Sequence, residues 1–164
     1  MSNKRPMKSV PLDERDKQIL KLLTQDPRTS IADIAREIEA QRDTVAYRIG
    51  RLERKGVISK YHTILEPHAL GLSVFMLVLI KMNPVAAEMV QQFVEKLVAH
   101  PHVTHVSRLL GRYDYFVQIA AEDVVAFDTV LDDIKAMQPG AIADIEIANI
   151  IDGLKTDDFS GLLS

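Results

Sequence analysis

The sequence predicts an α+β protein in two parts. An N-terminal helix-turn-helix of winged-helix-like type is joined to a ferredoxin-like βαββαβ domain. Three observations predict this. Residues 12–56 carry apolar stripes at helical spacing. Residues 72–151 alternate β-rich runs with amphipathic helices. Charge divides at the same place, because residues 1–68 hold fourteen Lys/Arg against ten Asp/Glu, whereas residues 69–164 hold six against thirteen. That split suits a polyanion-binding module fused to something with another job.

Composition bounds the function classes. Apolar residues make up 47% and charged residues 26%, the balance of a globular chain with material for a core. There is no cysteine, which excludes a disulfide framework and a thiolate metal site. No apolar run reaches the length of a membrane span, and MSNKRPMKSVP lacks a signal-peptide core, so a cytoplasmic protein with no membrane partner is expected.

Residues 1–11 read as a mobile arm with Lys4, Arg5 and Lys8 among polar residues. Asp13 then caps a first helix that buries Ile19, Leu20, Leu22 and Leu23 and stops at Asp26-Pro27. Ser30, with Asp33 three residues on, opens a second helix whose Ile31, Ile34, Ala35 and Ile38 form one stripe. A third helix over 42–55 buries Val45, Ile49 and Leu52 and ends at Gly56. Thr44, Tyr47, Arg51 and Arg54 fall away from its apolar side, with Arg48 and Lys55 at the margin. Two helices joined by so short a turn suit a helix-turn-helix, whose second helix enters the major groove of double-stranded DNA. The candidate DNA-reading residues are Gln41, Arg42, Asp43, Thr44, Tyr47, Arg48 and Arg51.

After Gly56, Val57–Leu65 reads as a short linking strand or wing, and Glu66-Pro67 breaks it. The helix-turn-helix domain is therefore 12–65, the ferredoxin-like domain 66–155 and a C-terminal tail 156–164. Within the second domain the expected order is strand 72–82, helix 85–100, strand 103–110, strand 114–121, helix 124–137 and strand 142–151. The first helix here buries Met89, Phe93, Leu97 and Val98, the second Phe127, Val130, Leu131 and Ile134. Thr104, His105 and Arg108 on one strand, and Asp144 and Glu146 on another, mark these as sheet edges. The first strand is apolar on both faces, with Val74, Met76, Val78 and Ile80 on one and Phe75, Leu77 and Leu79 on the other. Helices cover one face of a four-stranded sheet, so a second copy of the chain is the economical cover for Phe75, Leu77 and Leu79.

This order resembles the Lrp/AsnC (feast/famine) family of transcriptional regulators. The resemblance is carried by LDERDKQIL at 12–20, RTSIADIA at 28–35, TVAYRIGRLERKGVI at 44–58, EPHALG at 66–71 and GRYDY at 111–115. It implies a dimeric or higher-order DNA-binding regulator whose C-terminal domain senses a small molecule, usually an amino acid, between subunits. The sequence departs from the family in carrying Glu39-Ala40-Gln41 where Gly-Leu-Ser is common, which leaves Asp43 to do the electrostatic work at the helix start. It also has Leu110 and Ile147 where the family often places hydroxyl residues.

The candidate effector site is Gly111, Arg112, Tyr113 and Asp114. Gly111 supplies backbone freedom and a close approach of its N–H to a ligand carboxylate. Asp114 is a fixed negative charge suited to an α-ammonium group, and Tyr113 offers a stacking face. Arg112 favours an acidic or carboxamide side chain over an aliphatic one. The competing reading is a plain hairpin in which Gly111 allows the turn and Asp114 caps it. His100, His102 and His105 do not make a metal set, since His102 and His105 point to opposite faces of a strand. With no phosphate loop, activated nucleophile or carboxylate pair, neither a cofactor nor a catalytic residue is expected. Two alternatives belong to other classes. Sirohaem decarboxylases share the architecture, but this chain has Val74-Phe75-Met76-Leu77 where they have an Ala-Asn-Ala-Met-like element. The other is an architectural protein that wraps DNA without sensing a ligand.

Overall fold

Asp13 and Asp16 open the first helix by capping each other. Asp13 accepts from the Asp16 N–H at 2.9 Å and Asp16 accepts from the Asp13 N–H at 3.2 Å, a full capping box before α1 (Glu14–Gln25). The computed structural model describes residues 9–151 and 159–163. The expected arm and tail therefore lie outside the described residues except for 9–11 and 159–163. Two compact units divide between Ile64 and Leu65, with 159–163 grouped in the first, where the 3-10 turn Ser160–Leu162 meets α1.

In the first unit, Ser30 caps α2 (Ile31–Glu37) by accepting from the Asp33 N–H at 3.1 Å. The chain then turns through Ile38–Gln41 into α3 (Arg42–Arg54). Both α2 and α3 stop in the same way. The N–H two residues beyond the cap reaches back into the last turn, Ala40 to Ala35 O and Val57 to Leu52 O, each at 2.9 Å. Such a stop needs a left-handed residue between. Gly56 fills that place after α3 with φ 70°, and Glu39 fills it after α2 with φ 49°. Ile19, Leu23, Ile34, Ala35, Val45 and Leu52 form the buried core, with Ile38, Ile49, Val57 and Ile58 packed around it. Each fully buried aliphatic side chain contributes about 1.5–3 kcal/mol. The expected linking strand is corrected: residues 59–66 have no secondary structure, because no strand among the described residues pairs with them, and Ile64 and Leu65 stand exposed.

The second unit is a four-stranded antiparallel sheet in the order β2-β3-β1-β4, built from β1 (Val74–Met82), β2 (Val103–Arg108), β3 (Tyr115–Ala121) and β4 (Ile142–Asn149). As expected, the first and third strands are central and the edges carry the charge. Helices α4 (Ala87–Ala99) and α5 (Val124–Ala136) pack on one face against Val78, Ile80, Val117 and Ile119. Two details differ from the sequence reading. Val98 is exposed rather than buried, because Phe93 and Leu97 supply the inward contact of α4. β2 ends at Arg108, where Leu109 donates to Asp114 O at 2.8 Å and the chain leaves the ladder.

Candidate functional site

Helix α3 starts without a side-chain cap, since Gln41 makes none of the bonds that Ser30 makes for α2. Arg42, Asp43, Ala46, Tyr47, Glu53 and Arg54 are exposed along it, and Thr44 is half-buried. Tyr47 leaves 66% of its surface open. Gln41 is exposed beside the first turn. This outer face is short of apolar residues and presents an aromatic hydroxyl, two guanidiniums and the free N–H groups of a helix start.

Arg51, which its helical position directs outward, turns toward α1 instead, and Arg48, at the margin of the apolar stripe, joins it. Arg48 Nη1 lies 2.7 and 2.9 Å from the two carboxylate oxygens of Asp13 and 2.8 Å from Asp16 Oδ1. Arg51 Nη2 bonds Asp16 Oδ2, and the Arg51 Nε is buried without a partner. Asp16 itself has no exposed surface. The two arginines turn inward because two carboxylates at the start of α1, thirty-two to thirty-five residues earlier in the chain, wait there. The Arg48 guanidinium in turn holds the Asp13 carboxyl below its ordinary value and is itself held charged. No periodicity in α3 announces such a partner, although the i, i+3 spacing of Asp13 with Asp16 and of Arg48 with Arg51 is legible once the helices are paired.

The four residues Gly111–Asp114 lie together between β2 and β3. Gly111 is exposed, has no positive φ and has open space where a Cβ would sit, so the turn itself does not require glycine there. Arg112 is exposed, stacks 5.1 Å above the Tyr113 ring and lies 3.7 Å from Asp144. Tyr113 is buried and donates to Glu146 Oε2 at 2.6 Å, and that bond to a carboxylate raises its hydroxyl pKa. Asp114 is turned toward β1, where it accepts the Met82 N–H at 2.8 Å and pairs with Lys81 at 3.1 Å. The β1–β4 register shifts between Lys81 and Met82, and Asp114 takes up the N–H at that irregularity. The Met82 N–H, then Lys81, hold its carboxyl below the ordinary value against desolvation. Asp114 is thus bonded within its own chain, with 37% of its side chain still exposed.

The face of the sheet opposite α4 and α5 carries Phe75, Leu77 and Leu79, paired across β3 with Ala120, Gln118 and Phe116. The three apolar residues are half-buried and lie outside the helix-side core. His68 meets Phe75 edge to face at 5.9 Å and shields one end of the row. Of the three histidines, His102 Nδ1 is spent on Ala120 O at 2.9 Å and His105 Nε2 on Ser107 Oγ at 2.7 Å. No group of three metal-binding side chains converges among the described residues, and no helix among them is long and apolar enough to cross a membrane.

Residues 12–59 match the family model described as winged helix-turn-helix DNA-binding, and residues 76–155 match the Lrp/AsnC ligand binding domain. An HTH-type transcriptional regulator of Pyrococcus horikoshii is 30% identical over 157 residues, covering 96% of this chain and 89% of that protein. This chain belongs to the Lrp/AsnC family of transcriptional regulators. The fold agrees. A crystal structure of an AsnC family transcriptional regulator from Agrobacterium tumefaciens superposes with a TM-score of 0.81 at 26% identity, covering 88% of this chain and 94% of that one. A transcriptional regulator of Neisseria meningitidis, solved as an L-Met complex, shares the fold with a TM-score of 0.81 at 20% identity, over 89% and 94% of the two chains. The Lrp/AsnC regulator described here thus joins a DNA-binding helix-turn-helix to a ligand-binding α+β domain. At its departure, Glu39-Ala40-Gln41, a glutamate takes the left-handed place of the turn.

Proposed function

We propose that this Lrp/AsnC regulator is a cytoplasmic, non-enzymatic homodimer that reads DNA with the outer face of α3 and answers to an amino acid. The observation that carries the DNA reading is the sorting of α3 into a locked inner side and an exposed outer side centred on Tyr47. Gln41, Arg42, Asp43 and Thr44 at the helix start join Tyr47 there, and Arg54 is added to the residues expected from sequence. Arg48 and Arg51 act from behind. The row Phe75, Leu77 and Leu79 supports dimerisation, since an apolar sheet face of this kind needs a cover. A dimer then places two α3 helices on half-sites about one helical turn, or a multiple of it, apart.

For the effector, Gly111, Arg112, Tyr113 and Asp114 form the rim, with Asp114 shaping it and Arg112 exposed to meet a ligand. A guanidinium favours an acidic or carboxamide side chain. The L-Met complex of the Neisseria regulator supports the amino-acid class. One experiment covers both halves. Fluorescence anisotropy follows wild type and Tyr47→Ala on a duplex selected from a random library, with and without L-glutamate or L-leucine. Tyr47→Ala weakens binding at least tenfold, and glutamate shifts the wild-type curve at lower concentration than leucine does. An unchanged Tyr47→Ala curve rejects the α3 face, and a leucine-only response rejects the role of Arg112.

A further inference from the structure

Asp16 is the one charged side chain that is fully buried among the described residues. It is not paired one to one. Its two oxygens take two different guanidiniums, Arg48 on Oδ1 at 2.8 Å and Arg51 on Oδ2. Asp13 takes Arg48 a second time, through both of its oxygens. The same two aspartates cap α1 reciprocally, so their carboxylates are fixed by backbone bonds before any arginine arrives. Two carboxylates at i, i+3 on α1 therefore grip two guanidiniums at i, i+3 on α3. Two such bonds, one turn apart, reinforce the rotation of α3 that the buried Val45 and Leu52 already favour. The same contacts set two negative charges against two positive ones. Of the arginines of α3, Arg42 and Arg54 are left exposed.

We infer that Asp16, with Asp13, is a positioning device for DNA recognition: it fixes the rotation at which α3 presents Tyr47 and withholds Arg48 and Arg51 from the phosphate backbone. The inference rests on α3 being the DNA-reading helix. It makes a claim opposite to the one that a basic helix invites. A guanidinium on a phosphate releases a counterion, and its loss lowers the slope of log K against log salt by about 0.9. A guanidinium already held by carboxylates releases none, so its removal leaves the slope alone while loosening the helix that reads bases.

The full-length protein is titrated at several salt concentrations against two duplexes, one selected by the wild type from a random library and one scrambled. Arg48→Gln and Arg51→Gln are expected to keep the wild-type slope within about 0.3. Their preference for the selected duplex over the scrambled one falls several-fold. Asp13→Asn keeps the helix cap, since asparagine caps as well as aspartate. It leaves one positive charge uncompensated, and is expected to steepen the slope by up to about one unit and to tighten binding to the scrambled duplex. Asp16→Asn does the same where it folds, and Asp26→Asn, at the far end of α1, is the control for a bare change of charge. A slope flattened by about one unit in Arg51→Gln makes that residue a phosphate contact and overturns the inference. So does an Asp13→Asn slope equal to that of wild type. Tyr47→Ala run beside them separates the two readings. If it binds as wild type, α3 is not the reading helix; if it fails while Arg51→Gln flattens the slope, only the clamp is rejected.

Discussion

At the scale of single residues, Asp114 shows how a side chain expected to meet a ligand is claimed by its own backbone. Its carboxylate completes the N–H of Met82 where the β1–β4 register slips. Asp114→Ala orphans that N–H and is expected to lower stability by about 1 kcal/mol in urea unfolding, whereas Asp114→Asn, which keeps an acceptor, costs less. The pH dependence follows from the lowered carboxyl. A carboxyl whose folded value lies below its unfolded one stabilises the fold above the ordinary aspartate range. That contribution is lost as pH falls through the folded value. The gap between wild type and Asp114→Ala therefore closes on acidification; a gap that widens in acid contradicts the assignment. The direction of the Asp114 side chain is not legible in the sequence, because the N–H it accepts comes from a residue thirty-two positions earlier.

At the scale of elements, what was legible is what depends on neighbours in sequence. Spacings of seven residues or fewer mark Asp13 and Ser30 as caps, Gly56 as a stop, and Ile34, Val45 and Leu52 as buried, and all three N-terminal helices stand where those signals put them. What was not legible depends on a partner far along the chain. Arg51 looks outward on a helical wheel and goes inward for Asp16, and 57–65 looks like a strand but has nothing to pair with. The turn between α2 and α3 lies between these cases. The Glu39 position calls for a left-handed residue, and a glutamate sits there at φ 49°. Glu39→Gly removes the steric penalty and returns part of the gain as chain entropy, so it is expected to stabilise by about 0.5–1 kcal/mol. Thermal melts of Glu39→Gly and Glu39→Val test this. A β-branched residue is the worse fit, and a valine variant that melts above wild type rules out the strain.

At the scale of the whole molecule, the sheet has one face packed by α4 and α5, while on the other Phe75, Leu77 and Leu79 are only half-buried among the described residues. The proposed cover is a second copy. A charge in the middle of that row, Leu77→Glu, leaves a buried unpaired carboxylate in the dimer and is expected to give monomer or insoluble protein. Sedimentation velocity reads the outcome directly, and a Leu77→Glu protein that remains a well-behaved dimer places the contact elsewhere. The βαββαβ order was readable because each strand announces its own faces by alternation. The need for a cover is legible as an excess, seven consecutive apolar residues on β1 where one-sided burial needs four.

The grip of Asp13 and Asp16 on Arg48 and Arg51 has a kinetic side. A transcription factor spends much of its life on the wrong DNA, since a genome offers on the order of a million or more competing sites. Each free cation on the reading surface lengthens every one of those stops and does so without regard to sequence. On the proposed reading, a helix that carries four arginines and keeps two of them occupied within its own domain is expected to dwell more briefly at each wrong stop. Its target is then found by many short visits instead of a few long ones.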